Sequence, residues 1–428
     1  MSEATSDVAG EAADVELAPF TTLRVGGPAA RLVTATTEPE LIEAALRVWA
    51  EADDEDDWFV LGGGSNVVVA DEGVEGTVIR VATRGIAPVM SKVGAVRLRV
   101  QAGEPWDALV QHTVENGWSG LEALSGIPGS VGASPIQNIG AYGQEVSSSI
   151  VSLDFLDHAT GAVRRMQRAE LELSYRSSVF KRGLRGIVLS VTFELQDAWG
   201  DALSRGEASV PLSQPVLYAQ LAGALGIEVG DRLPLEEVRR AVLWLRASKG
   251  MVLDADDPDS VSAGSFFTNP VVTERFARTL PTAAPRWPVE PEEPDAVIPL
   301  EELDHYGDDG MEIAQDGDRA PAQPAQAVLA PPREYHVKLS AAWLIEQSGV
   351  RKGFSLPGST AAISSKHTLA IVNRGAARGA GAGASGEGPG TAGSAADVAE
   401  LARFVQGRVH AEFGVLLQPE PVFVGHTI

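Results

Sequence analysis

Residues 58–73, WFVLGGGSNVVVADEG, run one apolar β-type segment into three glycines and out again into a second β-branched segment. Rossmann dinucleotide folds and P-loops need their glycines to open a helix whose N-terminus holds the phosphates. The Val67-Val68-Val69 run is a strand signal and excludes both. A glycine loop between strands has two remaining uses: a hairpin turn, or a nest of backbone N–H groups for an anion. A second stretch, SGIPGSVGASPIQNIGAYG at residues 125–143, carries glycines at 126, 129, 132, 140 and 143 among specific polar residues. Each glycine costs backbone entropy on folding, so this cluster serves either tight turns or bare backbone laid against a large ligand.

Around these loops the chain reads as mixed α/β. Residues 38–51 pattern as an amphipathic helix with Leu41, Ile42, Ala45, Leu46 and Trp49 on one face. VRLRVQAG alternates as a half-buried strand, and EPWDALVQHTVENG is a helix stopping at Gly117. Strands follow at IVSLDFLD and IVLSVTFEL, then a helix in LPLEEVRRAVLWLRASKG with Val238, Ala241, Val242 and Leu245 inward. Between those strands Arg176, Lys181, Arg182 and Arg185 gather in an otherwise acidic chain. The first fifteen or so residues read as disordered. From Pro281 to Glu334 ten of the 26 prolines fall in an acidic, aperiodic segment, which reads as a loose insertion. Order resumes with a helix capped by Ser340, a buried strand at HTLAIVN, a glycine-rich loop, a helix from Asp397 to Gly414 and a closing strand.

At 428 residues two or three domains are expected. A formal charge of −24 excludes nucleic acid as a general partner, and an anionic substrate must find a local basic pocket. There is no cysteine, so disulfides, thiolate metal sites and cysteine nucleophiles are excluded, as suits a reducing cytoplasm. No run of about 18 apolar residues predicts a membrane span, and the N-terminus lacks a signal-peptide pattern. His112, His158, His305, His336, His367, His410 and His426 are scattered, with no pair at metal-ligand spacing, so no metal is expected.

LGGGSN at 61–66, SGIPGSVGASPIQNIGAYG at 125–143, SYRSSVFK at 174–181, SAGSFFTNP at 262–270 and LLQPEP at 416–421 together resemble the UDP-N-acetylenolpyruvoylglucosamine reductases, in that family's order. The resemblance spans about residues 17–425 and implies an α+β protein. Its two-part FAD-binding module is of the vanillyl-alcohol-oxidase-like (PCMH-type) superfamily, followed by a C-terminal α+β substrate domain. The implied division is a disordered 1–16, FAD-binding subdomains at 17–82 and 83–248, a substrate domain at 249–421 with insertions near 281–334 and 375–396, and a terminal segment 422–428. It implies a cytoplasmic, monomeric flavoenzyme of peptidoglycan synthesis that binds FAD non-covalently and uses NADPH and UDP-N-acetylglucosamine enolpyruvate.

Carried over by motif, Gly62, Gly63, Gly64, Ser65 and Asn66 form the pyrophosphate loop. Gly126, Ile127, Pro128, Gly129, Gly132, Gln137, Asn138, Gly140 and Tyr142 line the cofactor's other side. Arg176 matches the arginine that grips the substrate carboxylate, a task suited to a permanently charged, bidentate guanidinium. Ser265 matches the proton donor and Glu420 the catalytic glutamate, which must be protonated to donate a hydrogen bond to an enolate-like state. Tyr175, Tyr218, Lys249, Asn269 and Gln347 correspond to substrate- or nucleotide-contacting positions, with Tyr218 on the loop that marks the family's longer type. Thr268 stands where a lysine is frequent in GSFFKNP, and GMVLDADDPDS replaces the usual LPDP after Lys249.

Two other readings compete. One is a superfamily oxidase or dehydrogenase acting on another alcohol; such enzymes often tether flavin through a histidine or cysteine, and the 125–143 loop has neither. The other is a non-catalytic FAD or nucleotide-sugar binding protein, in which at least one of the three proton- and charge-handling residues would be missing.

Overall fold

The computed structural model describes residues 10–54, 57–199, 210–289, 335–375 and 393–425. Most of both expected insertions lies outside them. The chain divides into two compact units, Met1–Thr268 with Ile345–Ile428, and Asn269–Leu344.

In the larger unit the first sheet has the order β1-β2-β5-β3, from Gly10–Glu16 (β1), Pro28–Ala35 (β2), Val74–Val81 (β5) and Trp58–Leu61 (β3). β2, β5 and β3 run parallel, and β1 joins the edge antiparallel. Residues 10–16 are therefore a strand rather than disordered. GEAADVE is almost wholly exposed, so it shows no apolar alternation; its order comes from backbone pairing with β2. Helix α1, Glu38–Glu51, opens with a capping box in which Thr37 and Glu40 each satisfy the other's backbone N–H. It buries Leu41, Ala44, Ala45 and Val48, and Leu46 is exposed, so the inward face is rotated from the expected one.

The second sheet is antiparallel, in the order β12-β11-β13-β7-β6. Its strands are Val163–Gln167 (β12), Ile150–Asp157 (β11), Gly186–Asp197 (β13), Ala95–Gln101 (β7) and Ile86–Val89 (β6), and Trp118–Ser119 (β8) pairs with the end of β13. One apolar cluster joins both sheets: Leu41 and Val48 of α1 and Trp58 share it with Leu98, Phe155, Val191 and Phe193, and with Trp106 and Leu109 of α2 (Trp106–Glu115). A smaller core holds α3 (Ala219–Leu225) to α4 (Leu235–Ala247) through Leu221, Val238, Val242 and Leu245.

The C-terminal part of this unit is fastened to its N-terminal part by backbone. Val67–Val69 (β4) pairs in parallel with Val422–Val424 (β19). Ala361–Ile363 (β17) pairs with Ile371–Asn373 (β18), and helix α7, Ala395–Phe413, packs on them. The first turn of α7 is capped by Ser394 and by the Asp71 carboxylate, which accepts from the N–H groups of Ala395 and Ala396. These long-range ladders explain why the unit boundaries fall at 268/269 and 344/345 rather than at 82/83 or 248/249.

The smaller unit is a three-stranded antiparallel sheet in the order β14-β16-β15, from Val271–Thr273 (β14), His336–Leu339 (β16) and Arg286–Val289 (β15). A short helix α5, Glu274–Ala277, follows β14. Ser340 Oγ accepts from Trp343 N at the start of α6, Ala341–Gln347, as the sequence predicts.

Asn373 is buried and donates from Nδ2 to the carbonyls of Leu23 and Arg24 at 3.0 and 3.1 Å, and its Oδ1 accepts from Gly375 N. Asn373→Ala strands these buried groups and is expected to lower the unfolding free energy by about 1–3 kcal/mol, read from urea unfolding against the wild type.

Candidate functional site

The two glycine-rich stretches lie backbone to backbone. A Cβ on Gly63 would stand 2.6 Å from Gly129 Cα, and one on Gly129 would stand 2.6 Å from Ser65 Oγ. No side chain fits there, and Gly129 has φ +116°, which other residues rarely adopt. The N–H groups of Gly63, Gly64 and Ser65 donate to nothing among the described residues. A run of successive free donors between two strands is the nest arrangement that takes an anion. Asn66 closes the loop: its Nδ2 donates to Gln137 Oε1 at 2.9 Å and to Glu420 O at 3.1 Å, and its carbonyl accepts from Val422 N. One asparagine thus ties the first loop to the second and to the chain's last strand.

Tyr175 and Arg176 form the tip of a tight turn whose base is the reciprocal backbone pair Ser174–Ser177. Arg176 has φ +52°. Its Nη1 and Nη2 donate to the carbonyls of Asn138 and Gly140 at 3.1 and 3.0 Å, and Nε stands 3.2 Å from Glu420 Oε1. Only 23% of the Arg176 side chain and 10% of the Glu420 side chain meet solvent, so this pair is screened little by water. Burial pushes the Glu420 carboxyl above its ordinary range; Arg176 and then Lys181 pull it down by less than burial raises it.

The segment that carries Ser265 is joined to Glu420 through backbone. Glu420 N donates to Phe266 O at 2.9 Å, Thr268 N donates to Gln418 O, and Phe266 N donates to Leu369 O. Residues 265–268 are therefore clamped between the 418–420 and 369 segments, with Phe266 and Phe267 fully buried behind. The Ser265 side chain is half-buried and makes no hydrogen bond among the described residues.

A further group gathers at the Tyr142 turn between Gly140–Ala141 (β9) and Gln144–Glu145 (β10). Tyr142 and Tyr218 meet edge to face at 5.8 Å, and Lys249 Nζ stands 5.5 Å above the Tyr142 ring while donating to Gln220 Oε1. Burial and then Arg246 depress the Lys249 ammonium. Two groups here escape motif reading, Arg246 and Lys352, and His367, at a strand entry that the resemblance puts near the flavin, joins them. The guanidinium of Arg246 donates from Nη2 to Met251 O, but its buried Nε has no partner among the described residues, and burial brings it down to about 10 despite Tyr142 and Asp107. His367 is brought down to about 4 by burial, then by Lys249, Lys352 and Arg246, so its imidazole is neutral at physiological pH. Arg246 sits one helical turn before Lys249, a spacing legible in the sequence; the approach of His367 and Lys352 is tertiary and is not.

Asn269 belongs to the smaller unit, where its Oδ1 accepts from Ala341 N at the start of α6. Gln347 is exposed at the end of α6, and Tyr175 is 41% exposed with Arg176 against its ring. Gly126 donates its N–H to Asp107, and Gly132 N donates to Ala102 O, so both serve packing of the loop on α2 and β7. Ile127 and Pro128 are half-buried in the same loop. Among the described residues no group of three or more His, Cys, Asp or Glu could hold a metal.

A run of free N–H donors between two strands is an anion-binding arrangement, and the family comparisons say which class of protein carries it here. Residues 29–167 match the family model described as FAD binding domain, and residues 257–383 match that of the UDP-N-acetylenolpyruvoylglucosamine reductase C-terminal domain. The chain is 54% identical over 412 residues to the UDP-N-acetylenolpyruvoylglucosamine reductase of Leifsonia xyli subsp. xyli, covering 96% of this chain and 98% of that one. It is 44% identical to that of Salinispora arenicola, covering 99% and 98%. The crystal structure of the Thermus caldophilus UDP-N-acetylenolpyruvylglucosamine reductase superposes with a TM-score of 0.52 at 26% identity, covering 97% of this chain and 98% of that one. The chain belongs to the UDP-N-acetylenolpyruvoylglucosamine reductase family and is an FAD-dependent oxidoreductase. The Gly63–Ser65 donors and the close-packed glycines suit the pyrophosphate of FAD, since they combine free N–H groups with a surface bare of side chains.

A carboxyl raised on folding holds its proton more tightly folded than unfolded, so its contribution to stability falls as pH rises from the unfolded to the folded value. The stability of wild type minus that of Glu420→Gln, from urea unfolding of the FAD-free proteins, is expected to be level below about pH 4 and to fall as pH is raised through and above the ordinary carboxylate range. A difference that rises over this range would mean that Arg176 outweighs burial.

Proposed function

We propose that the protein reduces the enolpyruvyl ether of UDP-N-acetylglucosamine to the lactyl ether, UDP-N-acetylmuramate, in peptidoglycan precursor synthesis. The observation that carries this reading is the buried Arg176–Glu420 pair with the Ser265 segment hydrogen-bonded to it. FAD, which the Gly63–Ser65 donors would hold, would supply the hydride chemistry between NADPH and the substrate's methylene carbon. The protein's task is then to hold a carboxylate, to stabilise charge that appears on the neighbouring carbon, and to supply one proton there.

Arg176 holds the substrate carboxylate: with one Nη hydrogen directed at each of two carbonyls, each terminal nitrogen keeps one more for a ligand. Glu420, favoured in its protonated form by burial, donates to the enolate-like oxygen and so adds no second negative charge. Ser265 Oγ, free of hydrogen bonds among the described residues, gives its proton to the carbon next to the carboxylate and regains one from solvent. Lys249, with Arg246 at hand, offers positive charge to the nucleotide diphosphate, and Tyr142 and Tyr218 wall the same region. Tyr175, Asn269 and Gln347 join this proposal on motif position alone. No helix among the described residues is long and apolar enough to cross a membrane, and the reading carries with it a cytoplasmic, monomeric enzyme.

The test separates the two half-reactions. In anaerobic stopped-flow absorbance, Ser265→Ala is expected to bleach with NADPH at the wild-type rate and to regain its yellow colour with the enolpyruvyl substrate about 10²–10⁴-fold more slowly. Recovery of colour at the wild-type rate would remove Ser265 from proton delivery; a wild-type protein that stays bleached would overturn the substrate assignment.

A further inference from the structure

Asn138 is placed by motif among the residues lining the cofactor, yet its side chain is only 1% exposed and fully engaged within the protein. Nδ2 donates to Glu145 Oε2 at 2.8 Å and to Ser174 O at 3.1 Å, and Oδ1 accepts from Ser147 N at 3.2 Å. The backbone of Asn138 stands at φ +46°, a conformation asparagine tolerates better than most residues, and its own carbonyl receives Arg176 Nη1. This one residue therefore touches Arg176's machinery twice. Through its carbonyl it grips the guanidinium, and through its amide it grips Ser174, the base of the turn that carries Arg176. Glu145 pairs across the β9–β10 hairpin with Gly140, whose carbonyl receives Arg176 Nη2. Glu145 thus fixes the Asn138 amide while its backbone partner supplies the second acceptor.

We propose that Asn138, anchored by the Glu145 carboxylate, is the positioning residue for Arg176, and that it sets which guanidinium hydrogens face the substrate carboxylate. The inference rests on the proposed function in assigning Arg176 to that carboxylate. An ordinary buried turn asparagine would make the same internal hydrogen bonds, so stability alone does not distinguish the two; coupling to Arg176 does. Glu145 is exposed at its hairpin, which makes its substitution a mild one for folding.

The experiment uses the full-length, FAD-loaded protein and the variants Asn138→Gly, which keeps the left-handed backbone and removes the amide, Glu145→Ala, Glu145→Gln and Arg176→Lys, singly and with Arg176→Lys. Asn138→Gly and Glu145→Ala are expected to slow the substrate half-reaction by on the order of 10²-fold or somewhat less, with FAD content and the rate of bleaching by NADPH unchanged. Glu145→Gln still offers an oxygen to Asn138 Nδ2 and is expected to stay within a few-fold of wild type. On the Arg176→Lys background neither Asn138→Gly nor Glu145→Ala is expected to add a further loss. Additive losses, or equal losses in both half-reactions, would overturn the proposal. A second readout does not depend on turnover: the Arg176 Nε–H resonance, assigned by its disappearance in Arg176→Lys, is expected to be sharp in wild type and Glu145→Gln and broadened or shifted in Asn138→Gly and Glu145→Ala. If wild type fails to reduce the enolpyruvyl substrate, the functional reading falls and the resonance still decides the positioning role; an unchanged resonance in Asn138→Gly sinks it.

Discussion

A glutamate kept from water next to a guanidinium is the arrangement on which the rest of this site depends. Bringing Glu420 into a site where a tenth of its side chain is exposed penalises its charge, and Arg176 at 3.2 Å only partly offsets that penalty. The result is a carboxyl inclined to keep its proton beside a permanent cation. For a reaction that develops negative charge on a carbon next to a carboxylate, such a pair supplies attraction from one member and a hydrogen-bond donor from the other. A fully ionised pair would neutralise itself and leave less for the substrate. The arrangement is bought with stability, as buried ionisable groups generally are.

Such a pair functions only if its members are held by groups that do not move during the reaction. Glu420 is held by backbone: its N–H reaches Phe266 O, its carbonyl receives Asn66 Nδ2, and two residues on, the chain enters a parallel ladder with Val67–Val69. Asn66 also ends the glycine loop that offers free N–H groups. The anion nest and the acid therefore share one anchor, and displacement of either is felt by the other. Upstream, the carboxylate of Asp71, just beyond the same strand, caps the helix that leads into the Glu420 segment, and Gln406 on that helix donates to Leu417 O. The first loop, the last helix and the Glu420 segment are one connected structure, which explains why the C-terminal part groups with the N-terminal part of the chain.

What the residues disclose on their own follows from which interactions are local. The strand–loop–strand order at 58–69 was legible because β-branched runs flank the glycines, and α1 was legible from its period and its cap. The strand at Gly10–Glu16 was not, since exposed residues on an edge carry no apolar alternation and its order comes wholly from its neighbour. Motif matching singled out Arg176, Ser265 and Glu420; in the structure Arg176 pairs with Glu420, and Phe266, next to Ser265, accepts from the Glu420 N–H. It could not tell which way a side chain turns: Asn138 stands in the cofactor motif with its amide directed into the protein. Lys352 escaped because its proximity to Lys249 and His367 is created by packing of separate segments.

That packing also answers a problem posed by composition. A chain of net charge −24 repels polyanionic nucleotides at long range, but at physiological ionic strength such fields are screened over about 8 Å. What an anion would meet near Lys249 is the local charge: Lys249, Lys352 and Arg246 all bear on His367, and Glu346 opposes them. Burial weakens each cation's hold on its proton while strengthening its attraction for an anion that arrives, because the same low dielectric governs both. A depressed lysine and a neutral histidine are what burial beside other cations produces, and an anion entering there would meet positive charge that water screens little.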